Sequence, residues 1–254
     1  MRPLKVALLQ AEPGGGIDSG YLSIIRAEKP DVIAFPEYFF VQPGLDNVAS
    51  SISSRDSILS QLIAWSVEFG CIIVGGTLVD MERDELRNRC FLINRGNIVG
   101  YYDKIHLFRN EGGGRIMLGK NPAVFDVEGL RIGLLVCADV LYLESFEKLA
   151  PLRPDLTFVP TTSPYKPNES AAEKFARDRE IFARGAETSG SLLFKVSACG
   201  TIVGRPLQGR SLIAGPGKIY WRIEPEDEHR SALIIANVRP GNINHLLDIS
   251  VYHQ

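Results

Sequence analysis

Residues 130–139 read Leu-Arg-Ile-Gly-Leu-Leu-Val-Cys-Ala-Asp, a largely apolar run that ends in a cysteine and an aspartate. Its apolar run up to Val136 is typical of a strand buried in a sheet. A second strand-like run, 123–127, precedes it across a Glu-Gly pair, so the two runs predict a hairpin. Cys137 then stands at the end of a buried strand, which is where α/β folds commonly bind their ligands.

Short apolar runs alternate with helical patterns along the rest of the chain. The stretch 54–69 has helical spacing and is followed by Gly70 as a natural stop, and 170–188 is the strongest helix candidate. A further hairpin is predicted at 89–102 around an Arg-Gly-Asn turn. The remaining predicted elements are a short helix near 21–28 and strands at 4–10, 31–35, 71–78, 155–160, 192–197, 210–214, 218–222 and 231–238. Mixed strands with helices outside predict a layered α/β sandwich. We expect one domain over 1–254, with a C-terminal tail from about 239.

Composition narrows the class of protein. The chain has 254 residues, of which 45% are hydrophobic and 23% charged, so it can bury a large core. Its formal net charge of -2 leaves no excess of Lys and Arg for a phosphate backbone, so we do not expect a nucleic acid partner. No apolar run approaches the roughly 20 residues that span a membrane, and the N-terminus lacks a signal-like apolar run. We therefore expect a cytoplasmic protein that does not bind membranes.

The four cysteines are widely spaced and contain no Cys-x-x-Cys pair, which argues against a zinc or redox site. Cys71 and Cys90 lie in strand-like runs, where a thiol usually behaves as a small buried hydrophobic group. Cys137 differs because two other polar residues, Glu37 and Lys104, also terminate or follow strand-like segments. If those strands are neighbours, a nucleophile, a base and a cation share one cleft.

The motifs around these three residues resemble the nitrilase superfamily of carbon–nitrogen hydrolases. They are Phe-Pro-Glu-Tyr-Phe at 35–39, Asp-Lys-Ile-His-Leu-Phe at 103–108, and Cys-x-Asp at 137–139 with Glu144 seven residues after the Cys. Two later segments, 184–187 and 208–219, resemble the family's Arg-Ala-x-Glu-Asn and Gly-x-Ser-x-Ile-x-x-Pro-x-Gly motifs. The resemblance spans roughly residues 4 to 238. It implies a four-layer α-β-β-α sandwich of two mixed β-sheets flanked by helices.

The resemblance also implies a reaction, the cleavage of a non-peptide C–N bond in a small amide or carbamoyl compound through an acyl-enzyme on Cys137. No metal or organic cofactor is expected. A free thiol with a pKa of about 8.5 is mostly protonated at neutral pH, so Glu37 is expected to act as its general base. Lys104 and the backbone amide of Ala138 are expected to stabilise the negative charge that develops on the attacked carbonyl oxygen. Ala138 departs from the aromatic residue that is usual in the family.

A second carboxylate often assists in this family, and Glu111 is the only acidic residue between Arg109 and Lys120. An exposed position in a mobile Gly-rich loop is the alternative for Glu111. Tyr38, Ser163 and Tyr165 are expected to bind substrate.

Two further roles are open. Arg109 or Lys166 could receive a substrate carboxylate, although solvated positions are the alternative. His106 is expected to be partly buried and hydrogen-bonded, and it is not the expected base.

Other interpretations stay open. The chain could be a nitrile-hydrolysing or acyl-transferring member of the superfamily, or an inactive binding protein with the same fold. Metal-dependent phosphoester hydrolysis would need clustered Asp, Asn and His ligands, which the sequence does not show. The resemblance further implies a homodimer that uses the apolar segment 244–252 and the helices near Leu143 and Phe175.

Overall fold

Strand β1 (Leu4–Gln10) lies inside the first of two sheets in the computed structural model, which describes residues 3–239 and 246–253. It pairs in parallel with β2 (Val32–Ala34) and antiparallel with β16 (Ala232–Val238). The other strands of this sheet are β3 (Ile72–Val74), β4 (Leu78–Glu82), β5 (Glu85–Asn94), β6 (Asn97–Asp103), β7 (Ile116–Met117) and β17 (Leu246–His253). Their order is β17-β16-β1-β2-β3-β5-β4, with β6 and β7 also paired to β5.

The second sheet contains the stretch that holds the cysteine. Its strands are β8 (Ala123–Val127), β9 (Leu130–Leu134), β10 (Leu156–Thr161), β11 (Leu192–Ser197), β14 (Leu212–Gly215) and β15 (Lys218–Arg222), in the order β15-β14-β11-β10-β9-β8. Strands β9, β10 and β11 are parallel, and β8 with β9 forms the predicted hairpin. A separate small hairpin pairs β12 (Thr201–Ile202) with β13 (Arg205–Pro206). Strand β9 ends at Leu134, earlier than predicted, so Cys137 lies in the turn that follows.

Side chains alternate between the two faces of a strand. The apolar residues of each strand are therefore divided between the core that lies between the sheets and the core under the helices. In β1, Val6 and Leu8 join the core that contains residues of both sheets, whereas Ala7 and Leu9 face the helix layer. On the opposing sheet, the rings of Phe158 and Phe194 stack with centroids 5.1 Å apart. Every one of these side chains is fully buried. The dry interface between the sheets therefore fixes how the strand ends meet.

Helices cover the outer faces of both sheets. Helices α1 (Ser19–Glu28) and α2 (Arg55–Glu68) pack on the first sheet. Helices α3 (Leu143–Leu149), α4 (Ala171–Asp178) and α5 (Arg184–Ser189) pack on the second. A π-helical turn at Arg179–Ala183 joins α4 to α5, so the helix predicted at 170–188 is continuous but irregular. This arrangement confirms the predicted four-layer α-β-β-α sandwich.

Residues 246–253, within the segment predicted to be a tail, form β17 and pair antiparallel with β16. Residues 240–245 of that segment lie outside the described residues. Within the described part of the chain, no helix has both the length and the apolar character needed to cross a membrane.

Candidate active site

The three residues singled out by the sequence meet at one cavity. Glu37 lies three residues after β2, Lys104 directly after β6 and Cys137 three residues after β9. The cavity has a volume of about 160 Å³, and all three side chains line it. The predicted convergence of strand ends at one edge of the sandwich is therefore present.

Lys104 lies between two carboxylates. Its Nζ atom is 2.8 Å from Oε1 of Glu37 and 2.8 Å from Oε2 of Glu111. Burial acts to lower the pKa of Lys104, but the negative charge of Glu37, supported by the charge and hydrogen bond of Glu111, outweighs burial and raises the pKa. Lys104 is therefore a fixed ammonium, which can donate hydrogen bonds but cannot act as a base.

Glu37 is held by four hydrogen-bond donors. Oε1 accepts from Lys104 and from Nδ2 of Asn88, the latter at 3.0 Å. Oε2 accepts from the backbone N–H of Thr162 at 2.9 Å and also from its hydroxyl group. The carboxylate is fully buried. Its orientation toward the cavity is therefore set before any substrate arrives.

Cys137 adopts a backbone conformation that is uncommon for a residue with a side chain. Its φ is 46°, and it begins a short 3-10 helix at Cys137–Leu141. The Sγ atom donates toward the carbonyl oxygen of Thr162 at 3.3 Å. Cys137 is partly exposed, whereas Cys71, Cys90 and Cys199 are buried. The turn therefore presents this one thiol to the cavity.

The environment of Cys137 favours the protonated thiol. Burial and the negative charge of Glu37 raise the pKa of Cys137 above its ordinary range, against the opposing effect of Lys104. A thiol in this state needs a base during attack. Glu37 is the carboxylate whose charge bears most strongly on the sulfur.

Asp139 holds the turn that carries the nucleophile. Its Oδ2 accepts from the N–H of Val136 at 2.8 Å and from the hydroxyl of Tyr102 at 2.8 Å. Its Oδ1 accepts from the N–H of His106 at 2.7 Å and lies 3.2 Å from the ring nitrogen Nδ1. The ring of His106 stacks on Tyr142 with centroids 4.0 Å apart. His106 is thus a partly buried, hydrogen-bonded residue, as predicted.

Glu111 is part of the site rather than an exposed residue of a mobile loop. Besides Lys104, it accepts from the hydroxyl of Tyr38 at 2.6 Å, from Nδ2 of Asn88 at 2.7 Å and from the N–H of Phe108 at 2.9 Å. Burial acts to raise the pKa of Glu111, but the charge and hydrogen bond of Lys104 outweigh it and lower the pKa. Glu111 is therefore a fixed, ionised carboxylate beside the cavity.

The residues predicted to bind substrate differ in their position relative to the cavity. Tyr38 lines the cavity, but Ser163 and Tyr165 do not; the structure places Thr162 and Pro164 there instead. Side chains alternate along an extended segment, so Thr162 and Pro164 share one face and the other two share the opposite face. The methyl group of Ala138 is buried outside the cavity lining, so only its backbone amide retains the predicted role.

Two polar residues of the site have roles that the sequence did not reveal. Asn88 lies one residue before the strand predicted to begin at Arg89, and its single amide nitrogen bridges Glu37 and Glu111. Extending that strand by one residue would have placed Asn88 and Cys90 on one buried face. Asp139 belongs to the quoted Cys-x-Asp motif, yet its contacts with Tyr102 and His106 come from distant segments. By contrast, Glu144 of the same motif is exposed on α3 and pairs with Lys148.

The outer part of the cavity is apolar with charged groups at its edge. Val48, Phe108, Ile202 and Leu207 contribute apolar walls, and Asp46 and Arg205 are charged and exposed. Across residues 3–239 and 246–253, no three His, Cys, Asp or Glu side chains are grouped as a metal site would require.

Comparison with known proteins identifies the family of this chain. The carbon-nitrogen hydrolase family model matches residues 8–243, so the chain belongs to that family, within the nitrilase superfamily. A relative described as a hydrolase in the pqqF 5′ region of Pseudomonas protegens is 26% identical over 94% of this chain and 84% of its own. The omega-amidase YafV of Escherichia coli is 30% identical over 44% of this chain and 43% of its own.

Solved structures share the fold. The amidase from Nesterenkonia sp. AN1, as a double mutant in complex with acrylamide, superposes with a TM-score of 0.78 at 19% identity, covering 95% of this chain and 92% of that one. Family membership makes the protein a hydrolase of carbon–nitrogen bonds. The sandwich predicted from the sequence is the fold of these relatives.

Proposed function

We propose that the protein hydrolyses the C–N bond of a small amide or carbamoyl compound through a covalent acyl-enzyme on Cys137. One observation carries the proposal: Cys137, Glu37 and Lys104 line the same cavity, with the ammonium of Lys104 bonded to Glu37 at 2.8 Å. A nucleophile, a base and a fixed cation are the groups that acyl transfer needs.

In the first half-reaction, the sulfur of Cys137 forms a bond to the carbonyl carbon while its proton passes to Glu37. The carbonyl π electrons move to the oxygen, where Lys104 and the backbone amide of Ala138 stabilise the charge. When the C–O double bond re-forms, the C–N bond breaks, and the amine leaves with the proton that Glu37 returns. Ammonia and a thioester on Cys137 are the products when the amide is primary.

In the second half-reaction, water attacks the thioester carbon and gives a proton to Glu37. The C–S bond breaks, the thiolate recovers the proton from Glu37, and a carboxylic acid leaves. Glu111 supports both halves by fixing Lys104 and, through Asn88, by fixing Glu37. The proton that Glu37 accepts in each half-reaction is returned within it, so the enzyme ends as it began.

The cavity favours a small substrate. At about 160 Å³ it is smaller than the roughly 300–1,000 Å³ typical of pockets for drug-sized ligands. Three relatives are named omega-amidases and one is named a nitrilase, while the structural neighbours are amidases, so an amide is the favoured substrate. One Nesterenkonia amidase structure shows covalent addition of the acetamide moiety of fluoroacetamide at its active-site cysteine.

A panel of small aliphatic amides tests the proposal. We expect ammonia release by the native protein and none by Cys137→Ala. We also expect Glu37→Gln to accumulate an acyl adduct on Cys137 at alkaline pH, visible by intact mass, because the thiolate can still attack there whereas water has lost its base. Turnover retained in Cys137→Ala would refute the acyl-enzyme. Nitrile hydrolysis, or transfer of the acyl group to an added amine in preference to water, would replace amide hydrolysis with another reaction of the same cysteine. Lack of any adduct together with no ammonia release by the native protein would favour an inactive binding protein.

A further inference from the structure

Two exposed side chains at the outer part of the cavity carry opposite charges. Asp46 lies in the loop that leads from β2 to the 3-10 helix at Val48–Ser54, and Arg205 lies on β13. Both line the cavity that contains Cys137. The chain therefore places one anion and one cation at the cavity edge, from segments far apart in sequence.

These two side chains have no partners in the part of the chain that the structure describes. Neither Asp46 nor Arg205 makes a hydrogen bond or an ion pair there, although the two line one cavity. By contrast, two carboxylates deeper in the cavity, Glu37 and Glu111, are both paired with Lys104. The inner charges are thus used within the protein, whereas the outer charges are available to a ligand.

The charges of Glu37, Lys104 and Glu111 also determine whether an anionic substrate is attracted or repelled. Glu37 and Glu111 carry two negative charges against the single positive charge of Lys104, so an anionic substrate meets net repulsion at that end. Arg205 is the remaining cation of the lining and offsets that repulsion. Arg109 and Lys166, the cations that the sequence offered for a carboxylate, do not line the cavity.

We propose that the cavity binds a small ω-amide of an amino acid, with its amide at Cys137, its α-carboxylate at Arg205 and its α-ammonium at Asp46. This inference rests on the proposed amide hydrolysis and names the substrate class of the same site. The apolar walls, Val48, Ile202 and Leu207, suit the methylene groups that connect the two ends. Guanidinium binds a carboxylate through paired hydrogen bonds, and Asp46 supplies the counter-charge for the ammonium.

Three substrates of similar length separate the contribution of Arg205 to binding from that of Asp46. Butyramide carries no charge, glutaramate carries only the carboxylate, and glutamine carries both the carboxylate and the ammonium. We expect kcat/KM to rise in that order in the native protein. Arg205→Gln should lower kcat/KM for glutaramate and glutamine by about 10- to 100-fold, the usual loss of a hydrogen-bonded charge pair, and affect butyramide far less. Asp46→Asn should lower kcat/KM for glutamine alone.

Arg109→Gln is the matched control, because it removes an exposed cation of the neighbouring loop that does not line the cavity. We expect it to change none of the three rates. Equal losses on all three substrates in Arg205→Gln, or the same preference for glutamine in Asp46→Asn as in the native protein, would overturn the assignment of that residue.

Direct binding distinguishes the failure of this inference from the failure of the proposed hydrolysis. Calorimetry with Cys137→Ala measures glutamine binding without turnover. If glutamine binding depends on Arg205 and Asp46 but the native protein cleaves no amide, the binding roles of these two residues are supported and the proposed hydrolysis is wrong. Cleavage of all three amides at equal rates would retain the hydrolysis and overturn the subsite.

Discussion

The sulfur of Cys137 lies 3.3 Å from the backbone carbonyl oxygen of Thr162. The same residue donates its N–H and its hydroxyl to Glu37. One residue of the loop after β10 therefore contacts both the nucleophile and its base.

The state of the thiol can be tested with Glu37→Gln. The negative charge of Glu37 raises the pKa of Cys137, so its removal should lower that pKa and increase the thiolate at alkaline pH. Amide turnover should still fall by about 10²- to 10⁴-fold, because the general base is gone. The measurement is the pH dependence of thiolate ultraviolet absorbance, taken as the difference from the matching Cys137→Ala protein. An unchanged titration would show that Glu37 does not control the thiol.

Asn88 offers a test of the link between the two carboxylates. Asn88→Leu removes the donor shared by Glu37 and Glu111, and hydrogen bonds to charged groups contribute roughly 1.5–3 kcal/mol each. We expect kcat for amide hydrolysis to fall by about 10- to 100-fold. Asn88→Asp should lower it further, because a third carboxylate repels the other two. Asn94→Ala, which truncates an amide that bonds Glu128 at the far end of β5, serves as the control. Full activity in Asn88→Leu would mean that the remaining donors to Glu37 and Glu111 position both carboxylates without Asn88.

Asp139 is expected to act as a positioning residue for Cys137. Asp139→Asn leaves one carbonyl oxygen to accept from Val136, Tyr102 and His106, so at least one buried donor loses its acceptor at a cost of about 1–3 kcal/mol. We expect a lower denaturation midpoint together with slower alkylation of Cys137 by iodoacetamide in the folded protein. Tyr102→Phe, which removes only one donor, should destabilise the fold less and leave alkylation nearly unchanged. Equal alkylation rates in both variants would limit Asp139 to a structural role.

The buried side chain of Lys195 should make the free energy of unfolding depend on pH. It is buried on β11, with Nζ 5.3 Å from the centre of the Phe182 ring and no hydrogen bond or ion pair within the described residues. Burial lowers its pKa to about 8, whereas an unfolded chain has a lysine pKa of about 10.4. A lowered pKa means that the folded state is penalised below about pH 8 and that the penalty disappears as the pH rises to about 10.4.

Lys195→Met removes that penalty. It should therefore be more stable than the native protein at pH 7, by at most about 3 kcal/mol, and the difference should vanish near pH 10. Denaturant unfolding at the two pH values measures it, with Lys218→Met as an exposed-lysine control. A difference that is constant or grows with pH would contradict the assignment.

The predicted homodimer remains to be tested. Leu141 and Tyr142, which directly precede α3, are 57% and 48% exposed, an unusual state for neighbouring large apolar side chains. If the helices of the second sheet meet across a dimer, Leu141→Glu should shift the sedimentation coefficient to that of a monomer. Val67→Glu, which alters an equally exposed apolar residue on α2 of the opposite face, should not. A native protein that sediments as a monomer would remove the prediction.

Periodicity predicted the sandwich and most of its elements because buried strands and amphipathic helices leave local patterns. The hairpins at 89–102 and 123–137 and the helix at 170–188 are examples. The sequence did not reveal β4, β7, the β12–β13 hairpin or β17, since such short or edge strands are defined by their partners rather than by their own pattern.

The three main residues of the candidate site were also predictable from local patterns. Glu37, Lys104 and Cys137 lie beside recognisable strands within recognisable motifs, so their convergence followed from the topology. Asn88 and Arg205 were not predictable in this way. Their contributions depend on which distant segments meet at the cavity, and no local spacing encodes that.

The residue that the proposed reaction requires at position 137 differs from the residue that the backbone conformation there favours. A φ of 46° is one that glycine adopts freely and that costs a residue with a Cβ atom roughly 1–2 kcal/mol. Folding alone would therefore favour glycine there, and only a need for sulfur at that point opposes it. A lineage of this protein that no longer used its thiol would be expected to drift toward glycine at this position and to become more resistant to denaturation as it did so.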